Sequence, residues 1–410
     1  MNGKLRRILC AAALVWTTFI ATGCWNRIEL NELAITSATG IDWDGSKWII
    51  SYQVVIPAAI SSGIGTTGGT QQSPIVVYST EGRTIREAMM YSFSESPRKL
   101  FYGHNRVVVL SEEVARRGFE ELIDVYFRNA GPRETVSMLV TPGSARRILE
   151  QFMQLQLISG DGMKDIVLSE MKNASILPNV QVYQLAMELA GDAKSAVLPE
   201  IYISGSGDTA SLDSFKQTTI PSKLKLRRLA VLRQGRMVGW MNQRQSLGVS
   251  YLRNRVQQTG VTVPCEKTDG TRGYDMIHIS RSSTKLKPIV REGRLAYSAE
   301  VHALGTLTES GCPQNLYKPE VIRKIEQGGE LQIRTIIQEA WSRGQQLGVD
   351  VFGAAESAHR KHPQQWKKWS GDWNSVFTSA ALETNVHLRI ARMGLSNKSF
   401  QYITNQDKRE

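Results

Sequence analysis

The sequence predicts a mixed α+β (α/β) protein of two or more sub-domains, each a mostly mixed or antiparallel sheet with packed helices, behind a cleaved signal peptide. Three observations carry this. Unbroken apolar runs such as Val107-Val108-Val109-Leu110 alternate with helical spacing in the first half of the chain, as in strands covered by helices. Later strands alternate polar and apolar residues, as over 274–286, which fits a sheet with one wet face. Between the two patterns, residues 204–222 run Ser-Gly-Ser-Gly-Asp-Thr-Ala-Ser-Leu-Asp-Ser and on to Pro221-Ser222, poor in apolar residues. The expected boundaries are a signal peptide over 1–23, an N-terminal α/β lobe over 24–203, a linker over 204–222, a C-terminal α/β lobe over 223–395 and a polar tail over 396–410.

The N-terminus carries Lys4, Arg6 and Arg7, then a charge-free apolar run over 8–20, then Ala21-Thr22-Gly23-Cys24. A basic segment, a short apolar segment and small residues before a cleavage point make a secretory signal. At 1.5 Å per residue, that run of about 13 is too short to cross a hydrocarbon core of ~30 Å. A cysteine placed directly after two small residues matches the bacterial lipobox. Cys24 is therefore the expected lipid-attachment site, its sulfur carrying a diacylglycerol and its new amino terminus an acyl chain. Two or three chains at ~0.8 kcal/mol per buried methylene hold a protein on a membrane far better than one.

Removing 23 of 410 residues leaves 387, and takes the net charge from +12 to +9, because no acid lies in the leader. At 41% hydrophobic and 21% charged, the remainder is an ordinary globular composition. The positive charge suits an anionic lipid face or polymer. Nucleic acid is not an expected partner, because an exported protein rarely meets it.

In chain order, residues 28–33 suggest a helical turn, and 33–41 and 48–56 suggest strands. The Asp42-Trp43-Asp44-Gly45-Ser46-Lys47 link between them carries an Asp-Gly turn signal, giving a hairpin ended by Pro57. Residues 61–73 contain Gly63-Ile64-Gly65-Thr66-Thr67-Gly68, a GxGxxG match with no helix start after it, so it reads as a loop. A strand over 75–80 precedes a helix that Thr84 opens. A strand over 106–111 precedes one helix that Ser111 opens and that runs through Phe127. A strand follows over 135–141. Residues 144–192 read as helical, divided by Pro178, and 197–203 as the last strand of this lobe.

The second lobe begins with alternating residues over 224–232, turned by Gln234-Gly235-Arg236 into 237–240. Strands follow over 261–265, 274–286 and 295–304. Residues 319–347 form the longest helical pattern, with Gly328-Gly329 as an expected break. Short helices over 354–360 and 363–369 and a strand over 383–390 close the lobe.

Chemistry-bearing residues are sparse. Cys10 lies in the leader. Cys265 and Cys312 form either an extracytoplasmic disulfide or two free thiols, and lack the neighbours of a zinc site. His278 and His302 fall at facing polar positions of adjacent expected strands, and His359 and His362 are three apart, but a cationic or solvated setting disfavours a metal at either pair. Asp42 and Asp44 open like a calcium loop without its distal glutamate. No motif joins an acid, a base and a nucleophile, so no catalytic residues, metal or cofactor are expected beyond the lipid on Cys24.

Gly23-Cys24-Trp25-Asn26-Arg27-Ile28-Glu29-Leu30, Gly40-Ile41-Asp42 and Gly348-Val349-Asp350-Val351-Phe352-Gly353, with Trp366 and Trp373, resemble the Ger(x)C lipoproteins over nearly the whole mature chain. These are the C subunits of spore nutrient-germinant receptors. The family usually has Asp where Asn26 stands. The resemblance implies a non-enzymatic subunit on the outer face of the inner spore membrane, with a multi-span A subunit and a multi-span, transporter-like B subunit as partners. Together they answer nutrients and trigger germination. The interface is expected near the segment after Cys24 and the Asp42 turn. Whether this subunit binds a nutrient itself is left open. A solute-binding lipoprotein that feeds a transporter is the alternative, although a single linker is poor architecture for a closing cleft.

Overall fold

The computed structural model describes residues 3–20, 29, 32–61, 72–129, 131–206, 210–216, 218–219, 221–267, 269–392 and 399–406. Cys24, half of the expected turn over 28–33 and the glycine-rich motif over 63–68 lie outside them. The elements of the N-terminal half are α1 (Gly3–Ile20), β1 (Leu33–Trp43), β2 (Trp48–Val55), α2 (Pro57–Ser61), β3 (Ile75–Gly82), α3 (Ile85–Glu95), β4 (Lys99–Phe101), β5 (Val107–Ser111), α4 (Glu112–Arg117), α5 (Glu120–Arg128), β6 (Ser137–Thr141), α6 (Ala145–Glu150), α7 (Ser159–Asn173), α8 (Val182–Ala190) and β7 (Ser195–Gly205). After them come β8 (Ser222–Arg233), β9 (Arg236–Met241), α9 (Gln243–Leu252), β10 (Thr259–Glu266), β11 (Arg272–Arg291), β12 (Arg294–Ser310), α10 (Pro319–Leu347), α11 (Ala354–Lys361), α12 (Pro363–Trp369), α13 (Trp373–Ser379), β13 (Ala381–Arg392) and α14 (Phe400–Gln406). Among the described residues no helix is long and apolar enough to cross a membrane.

The fold is mixed α+β, built on two sheets. The larger runs β3-β2-β1-β5-β6-β7-β8-β9, with β4 beside β1. Its centre is parallel and its two ends antiparallel. The smaller runs β10-β11-β12-β13, antiparallel until the last pair.

The strand expected over 224–232 to open the C-terminal lobe is β8, and it hydrogen-bonds to β7 of the first sheet, Val197 opposite Val231. The polar stretch before it connects two antiparallel neighbours of one sheet. The reason is visible in the side chains. Ala196, Leu198, Ala230 and Leu232 point into the N-terminal core, whereas Val197, Leu229, Val231 and Met241 point into the core of the second sheet. Strand side chains alternate between faces, so β7 and β8 are buried on both and serve two cores at once.

Three helical readings change for local reasons. The single helix expected after Ser111 divides into α4 and α5, because Gly118 sits at φ 108°, where the helix cannot continue. The helical region over 144–192 is three helices, α6, α7 and α8. Gly328 and Gly329, expected to break the long helix, lie inside an uninterrupted α10. They let it settle onto the small sheet: a Cβ would stand 2.4 Å from Val263 Cγ1 at Gly328, and 2.3 Å from Leu388 Cδ2 at Gly329. Close approach, not flexibility, is what these glycines provide.

Candidate functional site

A cleft of about 580 Å³ opens where the two cores meet, lined in part by Glu188, Arg253, Arg255, Asp350, Glu356 and Arg360. Glu188 comes from the end of α8, and Arg253 and Arg255 from just past α9. Asp350 comes from the turn after α10, and Glu356 and Arg360 from α11. That turn is set by Gly348 at φ 67°, which ends α10 with the Val349 N–H donating back to the Gly344 carbonyl at 2.9 Å. Gly353, at φ 79°, then starts α11.

Glu188 is paired within the cleft. Arg253 Nη1 lies 2.8 Å from Glu188 Oε1 and Arg255 Nη2 lies 3.6 Å from it, while Arg253 Nε donates to the Val351 carbonyl at 2.5 Å. Asp350 is buried and accepts from the backbone N–H groups of Phe352, Ala354 and Ala355 at 3.0, 3.2 and 2.7 Å. Burial pushes its carboxyl above the ordinary range against those three bonds. Burial also raises Glu356, helped by Asp350, and lowers Arg255, helped by Arg253. The cleft joins α8, α9, α10 and α11 and brings no nucleophile to a base. Asp350→Asn should cost about 1–2 kcal/mol by weakening one side of this backbone clasp, read as a lowered midpoint in urea unfolding.

The aspartate of the other quoted motif has the same office. Asp42 accepts from the backbone N–H groups of Ala145 and Arg146, at 2.8 and 3.0 Å, and from Ser144 Oγ at 3.1 Å, which caps the start of α6. Asp44 closes its own turn, accepting from the Ser46 and Lys47 N–H groups, and those bonds hold its carboxyl below the ordinary range. Trp366 and Trp373 pack together with ring centroids 5.0 Å apart, at the edge of the second core.

The histidines are rearranged. His278 pairs in register with Thr306, and His302 with Ser283, so the two are not opposite one another. The slip arises at irregularities between Met276 and Ile277 and between Ile279 and Arg281. His302 instead stacks on His387 of β13, centroids 5.1 Å apart, beside Glu300 at 3.3 Å. His359 meets Asp192 at 2.9 Å and stacks on Trp366, whereas His362 lies edge-on to Trp369. Among the described residues no three metal-ligating side chains converge. Cys265 and Cys312 are joined as a disulfide, with Cα atoms 6.2 Å apart.

Two features beside the shared strands have no counterpart in the sequence reading. One is α9, whose signal was present: Asn242 and Gln245 form a reciprocal capping box. The other is Glu200, fully buried and held by both Arg227 and Arg228, each through two hydrogen bonds of 2.8–3.0 Å. Consecutive strand residues normally face opposite ways. Here the pairing with β7 jumps from Pro199–Leu229 to Ile201–Leu226, so two residues stand opposite one and both arginines reach Glu200.

The family model described as "Spore germination protein N-terminal domain" matches residues 26–203, and that described as "Spore germination B3/ GerAC like, C-terminal" matches residues 227–394. Spore germination protein KC of Bacillus subtilis (strain 168) is 25% identical over 410 residues, covering 98% of this chain and all of that protein. Spore germination protein B3 of the same strain is 19% identical, covering 92% of this chain and 95% of its own length. The crystal structure of the GerBC protein superposes with a TM-score of 0.55 at 15% identity, covering 86% of this chain and 96% of that one, which shows the shared fold.

Proposed function

The chain belongs to the Ger(x)C family of spore germination proteins, and from that premise we propose that it is the lipid-anchored C subunit of a nutrient-germinant receptor. In this reading Cys24 carries the lipid and holds the globule on the outer face of the inner spore membrane. It acts by binding a multi-span A subunit and a multi-span B subunit rather than by catalysis. The full-length match to spore germination protein KC, reaching both ends of that protein, is the observation that carries the reading. The shared strands β7 and β8 also support it over a solute-binding lipoprotein. Lobes fused through a common pair of strands are poorly built to close around a ligand.

Cys24→Ala tests this. The variant should keep the fold, judged by circular dichroism and melting temperature. It should be lost from the spore membrane fraction, and nutrient-triggered dipicolinate release should slow by an order of magnitude or more. A membrane-free variant that germinates at the normal rate would overturn the proposal.

A further inference from the structure

An exposed apolar hollow sits at the start of the described body. Leu33 lines it together with Met90, Phe93 and Phe101, and its volume is about 530 Å³. Met90 and Phe93 are 65% and 66% exposed, well beyond what a helix facing solvent needs. They follow Arg86 at i+4 and i+7, so the three lie along one stripe of α3. Lys99 of β4 also borders the hollow, and no Asp or Glu lines it. Neither Arg86 nor Lys99 has a carboxylate partner among the described residues. Phe127, on α5 beside α3, is a further exposed aromatic at 53%.

We propose that this face lies on the membrane, its apolar side chains at the headgroup boundary of anionic phospholipids and Arg86 and Lys99 on their phosphates. The inference rests on the lipid anchor proposed above, and two things select a bilayer as the occupant. Leu33 lies nine residues beyond Cys24, so the hollow can stand at most ~31 Å from the anchored residue along an extended chain. The border is cationic and, among the described residues, without a counter-charge, as an anionic lipid surface requires. Long basic side chains reaching outward past an apolar floor are the usual arrangement at such a boundary.

The test uses the acylated mature protein in phosphatidylglycerol vesicles. Met90→Cys and Phe93→Cys each supply a labelling thiol for an environment-sensitive dye, with Leu331→Cys on α10, 54% exposed, as the reference. Nitroxide-bearing lipids should quench the dye at 90 and 93 several-fold more than at 331. Adding Arg86→Glu and Lys99→Glu should bring that quenching down to the reference level, with the protein still vesicle-bound. Equal quenching at all three positions on retained protein would overturn the membrane face while leaving the anchor in place. Protection of 90 and 93 that appears only with the membrane subunits present would also overturn it, in favour of a protein interface. A chain that never associates with vesicles would bring down the anchor and this face together.

Discussion

Glu200→Ala is expected to lower stability by about 3 kcal/mol, among the largest losses any single substitution here should produce. The carboxylate is wholly enclosed, yet both guanidiniums that hold it are partly solvated, Arg227 by 43% and Arg228 by 28%. On deletion the arginines can turn toward water, which keeps the loss at the lower end of the range for broken buried pairs. They also stack on rings: Arg227 lies 4.5 Å from the Tyr202 centroid and Arg228 4.2 Å from that of Trp240. Losing Glu200 therefore loosens β7, β8 and β9 together. Because these strands serve both cores, unfolding should remain a single transition moved to lower denaturant. The pH dependence has a definite sign. Burial alone would raise the carboxyl, but the hydrogen bonds and charge of Arg228 and Arg227 outweigh it, and the pKa stands below the ordinary value. Its stabilisation is present above the unfolded-state pKa of about 4.5 and drains away as pH falls below it. Wild type should lose this part on acidification, and Glu200→Ala should not. Equal stability of the two proteins at pH 7 would refute the assignment.

Removing the disulfide with Cys265→Ala and Cys312→Ala should cost up to about 4 kcal/mol. The two residues are 47 apart in sequence, and the entropy of closing a loop of that length in the unfolded chain sets the scale. The bond ties β10 to the segment following β12, and Gly273 of β11 packs on it, its absent Cβ position only 2.6 Å from Cys312 Sγ. A thiol titration of the unfolded, unreduced mature protein should find no reactive thiol, rising to two after reduction. Two reactive thiols before reduction would show the bond absent in the protein as made.

The fold was legible where burial and alternation agree. Val107 to Leu110 reads as a strand because it is enclosed on both faces, and the 3.6-residue period marks α10 despite its paired glycines. The glycines were misleading because sequence shows only that a side chain is missing. Whether that frees the backbone or admits a neighbour depends on Val263 and Leu388, far along the chain. The allegiance of β8 was hidden for a similar reason. A strand buried on both faces does not say which lobe supplies each cover, and a polar connection resembles a domain joint whether it links lobes or turns a hairpin. The motif aspartates could be located but not interpreted, since their partners are backbone N–H groups at Ala145 and Ala355. The Glu200 cluster depends on one bulge, and a bulge leaves almost no trace in composition.

The direct measurement is gentle-detergent purification of this chain from the inner membranes of dormant spores, with mass spectrometry of what accompanies it. Two multi-span proteins recovered in near-equal amounts with it, together with a diacylglyceryl group on its Cys24 peptide, would be the result expected of a receptor C subunit. Recovery of the chain alone, or with a transport permease and with submillimolar binding of a nutrient to the isolated chain, would contradict that role.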